Sequence, residues 1–134
     1  MFLSFLTKYR ELGILILRVG YGVMFMVHGV PKLMGGVEMW TGVGAAMGNV
    51  GIGAYPAVWG FLAACSEAVG GALLVLGLAF RPACIAMAFT MAMATLFHFS
   101  KGDDIQIASH AIEAGIVFLS LIFIGPGKYS IDKK

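Results

Sequence analysis

A small set of ionisable side chains lies inside long apolar stretches of this sequence, and these residues are its candidates for chemistry. They are Arg18, His28, Lys32, Glu67, His98, His110 and Glu113. At the centre of a membrane helix each such group costs about 2.5–3.5 kcal/mol on insertion scales, so it needs a partner or a function. Histidine and carboxylate groups can bind a metal, hydrogen-bond a ligand or carry protons.

The composition places the chain among membrane proteins. Its 134 residues are 60% hydrophobic and 12% charged, and the mean hydropathy is +0.92. About a quarter of the residues of a soluble domain would be charged. The low share of charged residues therefore predicts the lipid bilayer as the surroundings of the chain. The sequence also has no basic stripe with interleaved aromatic residues, so we expect no nucleic acid as a partner.

Four apolar stretches are long enough to cross a bilayer, which takes about 20 helical residues. We place the helices at 12–33, 57–80, 82–99 and 107–124. Pro82 fits the first turn of the third helix, and Gly125-Pro126-Gly127 ends the fourth. The sequence therefore predicts an all-α polytopic membrane protein, one domain over residues 1–134, with four transmembrane helices in an antiparallel bundle.

The distribution of basic residues predicts the orientation. The side of the membrane that holds both termini carries Lys8, Arg10, Arg81, Lys128, Lys133 and Lys134, and the other side carries Lys32 and Lys101. Because Lys and Arg are enriched in cytoplasmic segments, we expect both termini on the cytoplasmic side of a bacterial or archaeal cell (inner) membrane.

The first outer loop, residues 34–56, is rich in glycine and too apolar for a loop that is fully exposed to water. A short helix over 38–48 could lie on the membrane surface, with Trp40 and Tyr55 as anchors at the interface. The alternative is a re-entrant segment that caps the bundle. Either arrangement adds a short helix to the four spans.

Glu67 lies near the middle of the second predicted helix, on a face with many small residues. That face carries Gly60, Ala63, Ala64, Gly70 and Gly71. Small residues let another helix approach closely, and an acid in the membrane must face protein or water. We expect a buried ion pair between Arg18 and Glu67 that joins the first two helices. The functional alternative is a proton relay in which Arg18 adjusts the proton affinity of Glu67.

The other polar residues are predicted to converge in the outer third of the bundle. His110 and Glu113 are three residues apart and share a helix face. Counting about 1.5 Å per residue from the outer surface puts His28 at the depth of Glu113, with His98 slightly above. Three ligands fit such a cluster. A quinone headgroup could bind to His28, His110, Glu113 and Lys32, a metal ion to His28, His98, His110 and Glu113, or a haem to two axial histidines.

A purely structural interpretation competes with ligand binding. In it, His98 and His110 are interface residues that bond water and loop backbone, and His28 is a core histidine bonded to Glu113. The same interpretation makes the many methionines apolar filling rather than a copper site.

Taken together, several motifs resemble the DoxX family of small bacterial and archaeal membrane proteins. The first matches are Arg18-Val19-Gly20 and His28-Gly29-Val30-Pro31-Lys32-Leu33. Later ones are Glu67-Ala68-Val69-Gly70-Gly71-Ala72-Leu73-Leu74, Gly77-Leu78, Arg81-Pro82-Ala83 and the tail Gly125-Pro126-Gly127-Lys128-Tyr129-Ser130-Ile131-Asp132. The family is similar to the DoxD-type subunit of thiosulfate:quinone oxidoreductase. The resemblance implies a four-helix membrane protein that works near quinones, within a membrane oxidoreductase complex.

We therefore expect a small redox-associated inner-membrane protein that binds a quinone or a metal in the outer half of the bundle, beside an oxidoreductase partner subunit. A non-catalytic scaffold is the alternative, in which the face of Gly70 and Gly71 contacts a second copy or a partner. A small transporter is the third hypothesis, although the sequence shows no evident inverted repeat.

Overall fold

A computed structural model describes residues 2–132 and consists of helices joined by turns. Met1, Lys133 and Lys134 lie outside the described residues, so the two lysines counted for the orientation have no structural account. The helices are α1 (Arg10–Met34), α2 (Gly36–Gly44), α3 (Pro56–Leu76), α4 (Phe80–Ser100) and α5 (Ile105–Ile124). Two 3-10 helices, Ser4–Tyr9 and Ala45–Val50, precede α1 and follow α2.

Helices α1, α3, α4 and α5 are long and apolar enough to cross a membrane, which confirms the predicted all-α polytopic bundle. Helix α3 packs against α1, α2 and α4, and α5 packs against α4. Aromatic side chains bridge α1 and α5, where Phe25 meets Phe118 edge to face at 4.9 Å between ring centroids. The start of α1 and residues 125–132 lie at one end of the bundle, where the N–H of Lys128 donates to the carboxylate of Glu11. We call this end the terminal end, and the opposite end, which carries α2, the loop end.

Close contacts of glycine hold α1 against α3. A Cβ added at Gly22 would meet the carbonyl oxygen of Gly71, and one added at Gly29 would overlap the backbone of Ala68. On the other side of α3, Gly70 faces the side chain of Met87 on α4. Gly70 and Gly71 therefore pack against α4 and α1 of the same chain. The scaffold hypothesis, in which this face contacts a second protein, is wrong on this point.

The predicted second helix was too long at its C-terminal end. Helix α3 ends at Leu76 because Gly77 takes the left-handed conformation (φ 67°), and α4 already begins at Phe80. The last described residue, Asp132, returns to this turn. Its carboxylate accepts hydrogen bonds from the backbone N–H groups of Ala79 (3.1 Å) and Phe80 (2.8 Å). The tail therefore caps α4 from a distant part of the chain.

Replacing Asp132 by alanine should lower the free energy of unfolding by about 0.5–2 kcal/mol, the usual cost of losing a helix N-cap. The two N–H groups at the start of α4 would lose their acceptor, and the tail would lose one of its attachments. Thermal unfolding in detergent measures the effect. Asp104→Ala is the matched control for a local cap, because Asp104 accepts from the N–H of Ile107 at the start of α5. An Asp132→Ala variant as stable as the parent would contradict this role of the tail.

The first loop packs against the transmembrane helices. Helix α2 and the 3-10 helix Ala45–Val50 dock on α3 and α4, with Ala46 and Met47 buried. A Cβ at Gly44 or Gly60 would overlap the backbone of the facing segment, so glycine allows this docking. The indole N–H of Trp40 donates to the carbonyl of Lys32 (3.1 Å). The short helix predicted for this loop is observed as α2.

Candidate functional site

A cavity of about 700 Å³ opens at the loop end between α3, α4 and the docked α2 segment. Its wall is mostly apolar and includes aromatic and methionine side chains, among them Met47, Trp59, Phe89 and Phe97. The polar residues of the wall are Lys32, Glu38, Ser66, Glu67, Thr90 and His98. A few polar groups in an apolar cleft of this size are typical of a site for a small organic ligand.

Lys32 and Glu67 form the charged part of this wall. The ammonium of Lys32 lies 2.8 Å and 3.1 Å from the two carboxylate oxygens of Glu67. The side chain of Glu67 is 3% exposed and that of Lys32 is 35% exposed. Because Gly29 brings α1 directly against the backbone of α3 beside Glu67, Lys32, one turn further along α1, can reach the carboxylate.

The predicted ion pair between Arg18 and Glu67 is wrong. Arg18 donates to three backbone carbonyls at the terminal end: those of Pro126 (2.7 Å), Tyr129 (2.6 Å) and Val75 (3.3 Å). Val75 is eight residues after Glu67 on α3, a distance of about 12 Å along the helix. Arg18 therefore lies level with the tail and not with the acid, and a proton relay between Arg18 and Glu67 has no basis.

His98 lines the cavity at the loop end, and a hydrogen bond to Asp103 holds its ring in place. Nδ1 lies 2.8 Å from the carboxylate of Asp103. This hydrogen bond is the main reason why the pKa of Asp103 lies below its usual value, and Lys101, 3.7 Å away, adds to the effect. Because the pKa of Asp103 is lowered, the contact stabilises the loop at neutral pH and is lost as the pH falls through that pKa.

Two hydroxyl groups complete the polar wall. Thr90 on α4 donates to Ser66 on α3 (3.1 Å), next to Glu67 in the sequence. Ser66, Thr90 and Trp59 line the cavity but are not among the site residues predicted from the sequence. A hydroxyl inside a membrane helix usually bonds its own backbone, so nothing in the sequence distinguishes these residues from packing.

His28 and His110 come together on a different face, between α1 and α5. Their ring centroids are 5.1 Å apart, and each ring also contacts Phe25. Within residues 2–132 neither imidazole has a hydrogen-bond partner, so the predicted bond between His28 and Glu113 is not formed. Glu113 is exposed on α5. The prediction that all three histidines converge with Glu113 is therefore wrong for His98, which lines the cavity instead.

The geometry corrects the metal and haem hypotheses. Among the described residues, no three His, Cys, Asp or Glu side chains lie close enough to hold a metal ion together. The four proposed ligands His28, His98, His110 and Glu113 are divided between two faces of the bundle. The rings of His28 and His110 touch each other, which leaves no room for a haem plane between them.

Comparison with known proteins shows which family this chain belongs to. The model of the DoxX family matches residues 13–100. An uncharacterised protein of Haemophilus influenzae is 30% identical over 96% of this chain and 95% of its own length. The protein named "Putative oxidoreductase CatD" of Bacillus subtilis is 34% identical over 64% of this chain and 59% of its own length.

A third relative, inner membrane protein YqjF of Escherichia coli, is 28% identical over 96% of this chain and 95% of its own length. No solved structure matches the chain at a significant level. The matched range includes Arg18, His28, Lys32, Glu67 and Arg81, and the tail motif at residues 125–132 lies outside it. The chain is a multi-pass membrane protein that belongs to the DoxX family.

Proposed function

We propose that this protein binds a quinone in the cavity at the loop end and serves an oxidoreductase complex of the inner membrane. The observation that supports this function is the buried Lys32–Glu67 pair in the wall of an otherwise apolar cavity of about 700 Å³. A charged pair in such a place is costly unless it has a purpose. Of the predicted quinone residues this site retains Lys32, and Glu67 and His98 take the place of His28, His110 and Glu113.

The cavity suits the chemistry of a quinone. Phe89, Phe97 and Trp59 offer flat surfaces to an apolar ring, and the lining methionines adapt to a tail. When bound, a quinone supplies an acceptor that takes up two electrons and two protons. The electrons would come from the partner oxidoreductase, so the task of this chain is to hold the ring and exchange the protons.

Two groups can serve the ring oxygens. The ammonium of Lys32, which is partly exposed, can donate to one carbonyl while Glu67 holds it in place. His98, with Nδ1 bound to Asp103, keeps Nε2 for the ligand. An imidazole nitrogen can donate to a quinone carbonyl or accept from a quinol hydroxyl. His98 and Asp103 lie next to the loop, where protons can be exchanged with water.

The distribution of charge supports an orientation with both termini in the cytoplasm. Arg10, Arg81 and Lys128 are exposed at the terminal end. At the loop end, Lys32 is paired with Glu67 and Lys101 lies near Asp103. This excess of basic residues favours the terminal end as the cytoplasmic side. The cavity would then open toward the outer leaflet of the membrane.

Titration with a short-tailed ubiquinone tests the function, because quinones quench nearby indole fluorescence. The protein has two tryptophans, and Trp59 lines the cavity. We expect saturable quenching in lipid nanodiscs, and at least a tenfold loss of affinity in Ala94→Leu, which fills the cavity. Ala92→Leu is the matched control, because Ala92 is exposed on the same helix and does not line the cavity.

A second pair of variants separates the two faces. His98→Gln should weaken binding about tenfold, the value of one lost hydrogen bond of roughly 1.4 kcal/mol. His110→Gln should leave binding unchanged. The opposite result would return the site to the α1–α5 face. Quenching that does not saturate, or that Ala94→Leu leaves intact, would reject the quinone site and favour a non-catalytic scaffold.

A further inference from the structure

Helix α5 carries a line of polar side chains on its exposed surface. Gln106, His110, Glu113 and Ser120 are all exposed, and their spacings of four, three and seven residues place them along one side of the helix. The buried side of α5 is different and consists of Ala108, Ala111, Ala114, Phe118 and Leu121. We call Gln106, His110, Glu113 and Ser120 the polar stripe.

Glu113 makes the polar stripe incompatible with a lipid surround. The residue is eight positions after Ile105, so it lies about 12 Å from the start of α5, inside a hydrocarbon core that is about 30 Å thick. Within residues 2–132 its carboxylate has neither a hydrogen bond nor an ion pair. An acid at this depth must face protein or water, and within the described residues no protein group covers this side of α5.

The neighbouring helix leaves room for a second molecule. On α1, Gly13 and Gly20 have no heavy atom within 4 Å of an added Cβ, and both are exposed. They are seven residues apart, as in a helix-packing repeat, and small residues of this kind mark the surfaces where membrane helices meet. These exposed glycines are on α1, the helix whose Phe25 and His28 contact His110.

We propose that the polar stripe is a homodimer interface, in which α5 packs against α5 of a second copy around a two-fold axis along the membrane normal. The chemistry of the stripe is complementary to itself. His110 can donate to a carboxylate and Glu113 can accept, one turn apart on the same side of one helix. A two-fold axis lets His110 of each copy bond Glu113 of the other, so both acids gain a partner.

The alternating spacing of four and three residues fits this geometry. It is the repeat of two helices that cross at about 20° and keep one seam in contact. In a parallel pair, Gln106 faces its counterpart at the loop end and Ser120 faces its counterpart nearer the terminal end. A heterologous partner would instead have to supply its own cation at the depth of Glu113.

Disulfide cross-linking in native membranes tests the interface, with Cys65 and Cys84 first replaced by alanine. Gln106→Cys and Ser120→Cys should each give a dimer under mild oxidation. Ile105→Cys and Leu119→Cys are the matched controls, because each lies at nearly the same depth but about 100° around the helix. All four positions are exposed, so none of these changes should disturb the fold.

Adding Glu113→Ala should lower the dimer fraction of the cross-linking variants about tenfold when measured against the protein-to-lipid ratio, since two reciprocal hydrogen bonds are lost. Exchanging the two residues, His110→Glu with Glu113→His, should restore the dimer. Equal cross-linking of the controls, no dimer from Gln106→Cys and Ser120→Cys, or cross-links only to a different protein would overturn the proposal. None of these readouts depends on whether the cavity binds a quinone.

Discussion

Replacing Lys32 by methionine is expected to lower the free energy of unfolding by about 3–5 kcal/mol, the cost of leaving a buried charge without its partner. Glu67 is buried, and within residues 2–132 Lys32 provides both of its hydrogen bonds. The change keeps the apolar stem of the side chain and removes the ammonium. Titration with SDS against a nondenaturing detergent measures the loss, with Lys101→Met, an exposed lysine, as the control.

A double-mutant cycle distinguishes a structural pair from a functional one. Glu67→Gln should cost less than Lys32→Met, because the lysine is partly exposed and can extend its ammonium toward water. The double variant Lys32→Met with Glu67→Leu should recover most of the lost stability, since no charge then stays buried. Our proposal requires that this double variant, although stable, no longer binds ubiquinone. Full quinone affinity in the stable double variant would show that the Lys32–Glu67 pair has only a structural role.

Replacing Arg18 by alanine should cost more than about 4 kcal/mol, because hydrogen bonds to a charged group contribute about 1.5–3 kcal/mol each. Arg18 is 2% exposed and joins α1 to Val75 on α3 and to Pro126 and Tyr129 of the tail. Without the guanidinium, these carbonyls lose their donor and the terminal end opens. Arg18→Lys should have an intermediate effect, because a single ammonium cannot replace the planar fork.

Limited trypsin digestion measures whether the tail is released. Lys128 lies in the tail, where its backbone N–H donates to the carboxylate of Glu11 (2.8 Å). Cleavage after Lys128 should become at least tenfold faster in Arg18→Lys, which we expect to fold. Lys101→Ala is the control, since Lys101 is exposed at the loop end, away from the tail. Unchanged cleavage in Arg18→Lys would show that the tail does not depend on Arg18.

The tail also shows why a sequence motif alone can mislead about its role. Residues 125–132 contributed to the resemblance, but nothing in their types indicates a task. In the structure the N–H groups of Ile131 and Asp132 donate to the carbonyls of Leu76 (3.2 Å) and Gly77 (2.9 Å). Asp132 caps α4, and the carbonyls of Pro126 and Tyr129 receive Arg18. The motif closes the terminal end of the bundle.

The sequence by itself determined the class of the protein, its four spans and its family. Hydropathy and length are properties of consecutive residues, so they identify membrane helices without knowledge of their neighbours. Local stop signals also worked: Gly125 ends α5 and Pro82 lies in the first turn of α4. The start of α4 at Phe80 was predicted less accurately, because the residue that caps this helix, Asp132, is more than fifty residues away in the sequence.

Only the tertiary structure decided which charged residues are partners. Helical periodicity gives the direction of a side chain around its own helix, but not the vertical offset between two helices. The offset between α1 and α3 is set by the glycine contacts at Gly22 and Gly29, and it places Lys32 beside Glu67 and Arg18 beside Val75. The cavity is likewise a product of packing, since its wall joins α2, α3 and α4, which no local pattern brings together.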